Sequence, residues 1–211
     1  MNIFVVGATG RVGQMLTEKL TAKGHTVYGA SRSAEKIKET ELVKPVHFDL
    51  HETVAQMAQQ IRLMDVIYFV AGSRGKDLLQ SDLYGAVKLM QAAEEANVGR
   101  YIQLSSLFAL EPERWQEDYL ANLADYNIAK YFSDKYLIEN TDLDYTILQP
   151  GSLTEEAGSG HVALQVTDTG KNAIEDVAEV LASLIDFPDT VDQVITMHEG
   201  TTPIATALAD I

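Results

Sequence analysis

Seven residues, Gly7-Ala8-Thr9-Gly10-Arg11-Val12-Gly13, narrow what this chain can fold into more than any other stretch. Residues 3–6 just before them are apolar and mostly β-branched, the mark of a parallel strand buried on both faces. After them Val12, Leu16 and Leu20 recur at intervals of four, with Met15 beside them, which is the apolar stripe of a helix. A strand that passes through three spaced glycines into a helix is the opening of a βαβ unit shaped to hold a dinucleotide. The three glycines have separate tasks in such a turn. Gly7 permits a sharp bend, Gly10 lets the backbone approach a phosphate, and Gly13 lets the helix lie close on the strand. The helix start adds unpaired N–H groups and a partial positive charge, which attract a pyrophosphate. Thr9, Arg11 and Val12 fill the intervening positions and belong to the same expected contact set.

The rest of the chain repeats this alternation. Apolar, β-rich runs at 26–30, 46–48, 66–71, 101–104 and 145–148 predict five further strands. Helical patterns lie at 14–23, 53–62, 83–96 and 122–139, the third of them stopped by Asn97-Val98-Gly99. This pattern predicts an α/β, Rossmann-like, doubly wound and mainly parallel sheet with helices on both faces. Beyond Pro150 it loosens into a glycine- and acid-rich loop (151–160), a strand at 161–166, a helix at 175–186 and a strand at 193–197. One domain over 1–211 is expected, with a short substrate-side region from about residue 151 and therefore a small or open substrate site.

Composition removes whole classes of function. The net charge is -15, which opposes phosphate backbones and anionic lipid, so neither nucleic acid nor a membrane surface is an expected partner. There are no cysteines, which removes disulfides, thiolate chemistry and Cys-based metal sites and fits a cytoplasmic location. The apolar N-terminal run belongs to a strand and has no basic segment before it, so no signal peptide is expected. The five histidines show no ligand spacing, and no metal site is expected. The oligomeric state is not legible.

At the end of the second strand stand Ser31, Arg32 and Ser33, where an NAD enzyme usually has an acid on the ribose 2′-OH. A guanidinium flanked by hydroxyls suits a 2′-phosphate, so NADP is expected rather than NAD. Arg11 offers a second cation. Val70, Ala71 and Gly72 close the fourth strand with residues small enough to let a cofactor pass over the sheet edge.

Taken in order, Gly7 to Gly13, Asp49-Leu50, Ser81-Asp82-Leu83-Tyr84-Gly85-Ala86, Leu104-Ser105-Ser106, Tyr126-Asn127-Ile128-Ala129-Lys130 and residues 144–151 resemble the atypical short-chain dehydrogenase/reductase family, of the NAD(P)-dependent epimerase-like kind. The resemblance covers about residues 1–153. It implies that Asp49 and Leu50 form the adenine-side turn, that Asp82, Ser105, Pro150 and Gly151 adjoin the cofactor, and that a Ser, a Tyr and a Lys carry out the reaction. In that scheme Tyr exchanges a proton with the substrate oxygen, Lys holds the nicotinamide ribose and lowers the Tyr pKa, and Ser polarises the carbonyl. Tyr-x-x-x-Lys occurs three times, as Tyr84/Lys88, Tyr126/Lys130 and Tyr131/Lys135. The position of Tyr126/Lys130 on the helix before the sixth strand favours it, with Ser106 as the serine, although either Ser105 or Ser106 would also serve to cap a turn. Two residues depart from the family's pattern: Asp82 stands where an Asn is usual, and Gln149 where an Arg is usual. Trp115, in the acidic loop 111–118, either lines the substrate mouth or anchors its loop. The expected activity is hydride transfer to a small carbonyl, quinone or flavin-like substrate. A non-catalytic NADP(H) sensor and a sugar epimerase or dehydratase are the alternatives.

Overall fold

In the computed structural model, which describes residues 1–211, strand β1 (Asn2–Val6) sends Ile3 and Val5 into one core and Phe4 and Val6 into another, all at most 2% exposed. This two-sided burial is why the strand reads as an unbroken apolar run. It is followed by α1 (Arg11–Ala22), β2 (Thr26–Ser31), β3 (Val43–His47), α2 (Val54–Ile61), β4 (Val66–Phe69), α3 (Tyr84–Glu95), β5 (Arg100–Leu104), α4 (Ala124–Asn140) and β6 (Asp144–Pro150). The remainder comprises β7 (Ser152–Thr154), β8 (His161–Leu164), β9 (Lys171–Ala173), α5 (Ile174–Ser183), β10 (Gln193–Glu199), β11 (Thr202–Pro203) and α6 (Ile204–Ala209).

Nine strands form one sheet in the order β11-β8-β10-β6-β5-β4-β1-β2-β3, while β7 and β9 pair separately. From β3 to β10 every pairing is parallel; β8 runs antiparallel to β10, and β11 to β8. The chain winds outward from β1 to β3 and then crosses to β4, so the winding reverses between β1 and β4. Ligands of such sheets bind in the crevice at the carboxyl ends beside that reversal. Val6 marks the place, opposite Ala30 of β2 and Phe69 of β4.

On one face, Leu16 and Leu20 of α1 and Val177 and Leu181 of α5 pack on Ile3, Val5, Val66 and Tyr68. The buried Tyr68 hydroxyl donates to the Leu181 carbonyl at 2.9 Å, so burial leaves no orphaned donor there. On the other face, Met57 and Ile61 of α2, Leu89 and Met90 of α3 and Leu137 of α4 cover Phe4, Val6, Ile67 and Phe69. Thr53 and Gln56 close a reciprocal capping box at the start of α2. No helix is long and apolar enough to cross a membrane.

Expected and observed elements differ in places. The third strand spans Val43–His47 rather than 46–48, because at the sheet edge it tolerates the polar Lys44 and the proline Pro45 that break its apolar pattern. The fourth strand ends at Phe69; the Val70 N–H still bonds to the Val6 carbonyl at 3.0 Å, and the chain leaves the sheet after it. The strand expected over 161–166 ends at Leu164, where Gln165 adopts φ 53 and turns the chain. Strands β7, β9 and β11 have two or three residues each, too few to show a period, and the six-residue α6 is similarly short.

Candidate cofactor and substrate site

The glycine turn is built as the spacing requires. Gly7 has φ 96, and a Cβ on it would lie 2.7 Å from the Ala71 backbone. A Cβ on Gly13 would lie 2.2 Å from the Gly7 carbonyl oxygen, so α1 can lie this close to β1 only with a glycine there. Gly10 differs: its Cβ would meet only the Gly7 oxygen, at 3.1 Å, and it otherwise faces open space. Gly10 is the N-cap of α1, with no side chain capping the helix and no acid in the first turn. The first N–H groups of a helix have no intrahelical partner, so these remain for an anion. Bonds from the Gly10 N–H to the Gly7 oxygen (2.9 Å) and from Gln14 Nε2 to the Thr9 oxygen (2.9 Å) fix the turn.

Two cavities adjoin this turn and share Gly10, Val70, Ala71 and Gly72. The first, about 190 Å³, is lined by Gly7, Thr9, Ser31, Arg32, Phe48, Asp49 and Leu50, and also by Ser73 and Ser81. Ser31 Oγ and Thr9 Oγ1 lie 2.9 Å apart, and Ser31 Oγ accepts the Ser33 N–H at 3.1 Å. Ser33 thus acts through its backbone, and its side chain does not line the cavity. The arginine ion pairs are Arg11–Glu155 and those of Arg114, so Arg32 faces the cavity with no acidic partner. Asp49 Oδ1 accepts from the His51 backbone (3.0 Å) and ring (2.9 Å). Burial acts to raise the Asp49 carboxyl, but these bonds outweigh it and hold the group below its ordinary value. His51 Nε2 also lies 3.0 Å from Asp77 and ties the turn after β3 to the segment before α3.

The second cavity, about 670 Å³, holds the candidate Tyr/Lys pair. Tyr126 and Lys130 both line it, one helical turn apart on α4, with Arg11, Val12, Leu104 and Leu153. Lys130 is 1% exposed; its Nζ donates to the Leu104 carbonyl at 2.9 Å and lies 5.7 Å from the centre of the Tyr126 ring. Burial lowers the Lys130 pKa, and the charges of Asp134 and Asp82 act against it. The Tyr126 pKa is raised, first by burial and then by Asp82 and Asp134. Burial, with these two carboxylates, holds Tyr126 as a protonated hydroxyl. Of the three Tyr-x-x-x-Lys pairs only this one lines either of these two cavities: Tyr84 is 51% exposed, and Tyr131 packs edge-on against Trp115 and Phe132.

Behind the pair lies a polar network that sequence reasoning missed. Asp134, fully buried on α4, accepts from Ser105 Oγ (2.5 Å), Gln103 Nε2 (2.6 Å) and Gln149 Nε2 (3.2 Å). Burial raises its carboxyl, against these bonds and the Lys130 charge. An acid four residues beyond a buried lysine was the available signal. Several expected contact residues are turned away from both cavities. Ser105 is held by Asp134, and Ser106 donates to Asn127 Oδ1 at 3.0 Å. Asp82, 1% exposed, accepts the Ser73 N–H and braces the loop after β4. Pro150 is buried in β6, and Gly151 lies under the loop before β9, where a Cβ would come 2.3 Å from the Gly170 oxygen. Trp115 donates to the Phe108 carbonyl at 3.1 Å and anchors its loop; it lines neither cavity. The region from 151 supplies only Leu153 to the second cavity, which is walled mainly by Arg74, Gly75, Leu78 and residues 121–126.

These features define the class: a dinucleotide-binding α/β protein whose glycine turn, uncapped helix start and unpartnered Arg32 fit a dinucleotide phosphate chain, with a Tyr/Lys pair of the short-chain dehydrogenase/reductase type at the far end. Residues 7–188 match the family described as NAD(P)H-binding, and the chain belongs to that family. It is 46% identical to the oxidoreductase ylbE of Lactococcus lactis, whose structure superposes with a TM-score of 0.97 and covers 100% of this chain and 96% of that one. The Bacillus subtilis (strain 168) protein YhfK, named an uncharacterized sugar epimerase, is 33% identical over 99% of both chains. A short-chain dehydrogenase/reductase of Veillonella parvula solved in complex with NADP shares the fold at 19% identity, with a TM-score of 0.78 over 96% of each chain.

Proposed function

We propose that the protein is an NADPH-dependent reductase that passes hydride to a small carbonyl, quinone or flavin-like compound in the cytoplasm. One observation carries this reading: two cavities that meet at Gly10, Val70, Ala71 and Gly72 hold Arg32 in one and Tyr126 and Lys130 in the other. The bound nicotinamide would supply the hydride. Gly10 and the start of α1 would hold the phosphates, and Arg32 the 2′-phosphate that distinguishes NADP from NAD. Lys130, fixed by the Leu104 carbonyl, presents its remaining protons to the cavity floor for a ribose hydroxyl. Tyr126 has no hydrogen bond to its hydroxyl and keeps its proton, so it is suited to donate that proton to a substrate oxygen as negative charge develops. Ser106 faces Asn127 and not the cavity, so in this reading it positions α4 and does not polarise the substrate. A second reading, a sugar epimerase, draws on the name of the Bacillus subtilis relative.

NADPH absorbance in the presence of carbonyls, quinones and flavins tests the reading. Carbonyl reduction is expected, and Tyr126→Phe should slow it by about 10²–10⁴-fold with NADPH affinity unchanged. Undiminished carbonyl reduction by that variant removes Tyr126 as proton donor. NADPH binding without turnover of any class leaves a sensor, and interconversion of a sugar without net NADPH use leaves the epimerase.

A further inference from the structure

We propose that Arg74 selects a substrate that joins a carboxylate to an apolar body. The proposal rests on the reading of the second cavity as the substrate site. Charge is reversed there relative to the chain. The protein has 16 Lys and Arg against 31 Asp and Glu, yet the cavity is lined by Arg11, Arg74 and Lys130 with Asp125 as its one acid. Two of the three cations are engaged: Arg11 pairs with Glu155 at 2.7 Å, and Lys130 donates to the Leu104 carbonyl at 2.9 Å. Arg74 makes no ion pair or hydrogen bond within the chain, so its five N–H donors stand ready for a planar anion.

The backbone holds Arg74 in an unusual way. Its φ is 54, followed by Gly75 at 80, a pair of left-handed residues that bulky side chains seldom adopt. Asp82 grips the adjoining Ser73 N–H, so the turn carrying Arg74 is braced from within the fold. Helix α4 follows directly on the 3-10 stretch Asp118–Leu123 and carries Asp125 in its first turn, and Ala124, Asp125 and Tyr126 line the same cavity. Asp125 and Arg74 are both exposed at the cavity, so water screens the two charges alike. Between the polar elements lie Leu78, Leu104, Leu123 and Leu153, a wall that suits an apolar body. The cavity, about 670 Å³, would be shared between the nicotinamide end of the cofactor and a small substrate. Arg74 lines only this cavity and Arg32 only the other, so the cofactor's 2′-phosphate and the substrate's carboxylate have separate guanidinium groups.

The test uses the full chain saturated with NADP+ and two probes of matched shape, 4-carboxybenzaldehyde and its methyl ester, titrated by calorimetry. The acid should bind about tenfold more tightly than the ester, the scale of one charge-assisted contact. Arg74→Gln should abolish that preference, leave ester binding unchanged and leave NADP+ affinity unchanged, while Arg74→Lys should restore part of the preference. A preference that survives in Arg74→Gln overturns the proposal, as does failure of either probe to bind the wild type. A loss that falls on NADP+ affinity overturns it too, by assigning Arg74 to the cofactor's phosphates. Turnover separates the proposal from the reading beneath it. Selective binding without NADPH oxidation removes the reductase and leaves the anion site standing. Oxidation with equal kcat/KM for acid and ester removes the anion site alone.

Discussion

Gly10 and Gly13 lie three residues apart in one motif, and the structure predicts opposite consequences for filling them. At Gly13 a new Cβ would sit 2.2 Å from the Gly7 oxygen, 2.8 Å from the Gly7 carbonyl carbon and 2.9 Å from Ala8 Cα. All three are backbone atoms, so no side chain can swing aside, and α1 must lift from β1. Overpacking of this kind costs about 1–3 kcal/mol, with the rigid surroundings favouring the upper end. Replacing a helical glycine by alanine returns about 1 kcal/mol of helix propensity. The net for Gly13→Ala is a loss of about 2 kcal/mol, or about 4–8 °C in Tm for a chain of this size. At Gly10 the single neighbour is the Gly7 oxygen at 3.1 Å, and the rest of the space is the groove. Gly10→Val should cost no more than about 1 kcal/mol, the scale of a changed N-cap, yet remove NADP(H) and NAD(H) binding because the isopropyl group occupies the phosphate position. Thermal melts and cofactor titrations of both variants decide the matter. A Gly13→Ala protein with a raised Tm would show that helix propensity outweighs the overlap, and wild-type cofactor affinity in Gly10→Val would place the dinucleotide elsewhere.

Three further outcomes are expected. Arg32→Ala should weaken NADP(H) by the roughly 1.5–3 kcal/mol of a charge-assisted phosphate contact and leave NAD(H) nearly unchanged, read by calorimetry with both cofactors; equal losses would remove the 2′-phosphate role. Asp134→Ala should destabilise by on the order of 3 kcal/mol in urea unfolding, since Gln103, Ser105 and Gln149 would keep buried donors without their acceptor. Burial lowers the His198 pKa, but the Glu199 carbonyl and Asp168 outweigh it and raise the group above 6.5. A group with a raised folded pKa stabilises fully at low pH and loses that contribution as pH climbs through the folded value. Asp168→Asn should therefore lose more stability at about pH 5.5 than at about pH 8.5, and a pH-independent difference would show that the pair carries no charge.

The sequence was most legible where one residue answers to one local demand. Gly7 and Gly13 follow from backbone contacts inside a single βαβ unit, and both were readable from spacing. Tyr126 and Lys130 could be set apart from the other two Tyr-x-x-x-Lys pairs because they lie near the start of the helix that leads into β6. What sequence did not reveal is where a side chain points once its strand has ended. Ser105 and Ser106 leave β5 in successive positions, yet one turns to Asp134 and the other to Asn127, each decided by a residue more than twenty positions away. Pro150 and Gly151 are claimed by the neighbouring β10 and β9 region, through bonds from the Gly151 N–H to the Met197 carbonyl and to Asn172 Oδ1. Of the wall, Leu78 and Ala121 escaped because they lie in a π-helical stretch (Leu78–Leu83) and a 3-10 stretch (Asp118–Leu123), whose side chains follow neither a period of two nor one of 3.6.

The two rims of the nine-stranded sheet bear on how this protein behaves when crowded. An outermost strand is a template on which another chain can polymerise by hydrogen bonding. Here one rim is β3, with Lys44 and Pro45 at its centre, and the other is β11, two residues long and ending in Pro203. A proline has no N–H to offer an incoming strand, and a lysine resists having its charge dehydrated. Both rims are thus blunted by residues that contribute little to the cores. The -15 net charge adds mutual repulsion between copies. Growth into fibrils is opposed at each open end of the sheet by the strand that terminates it.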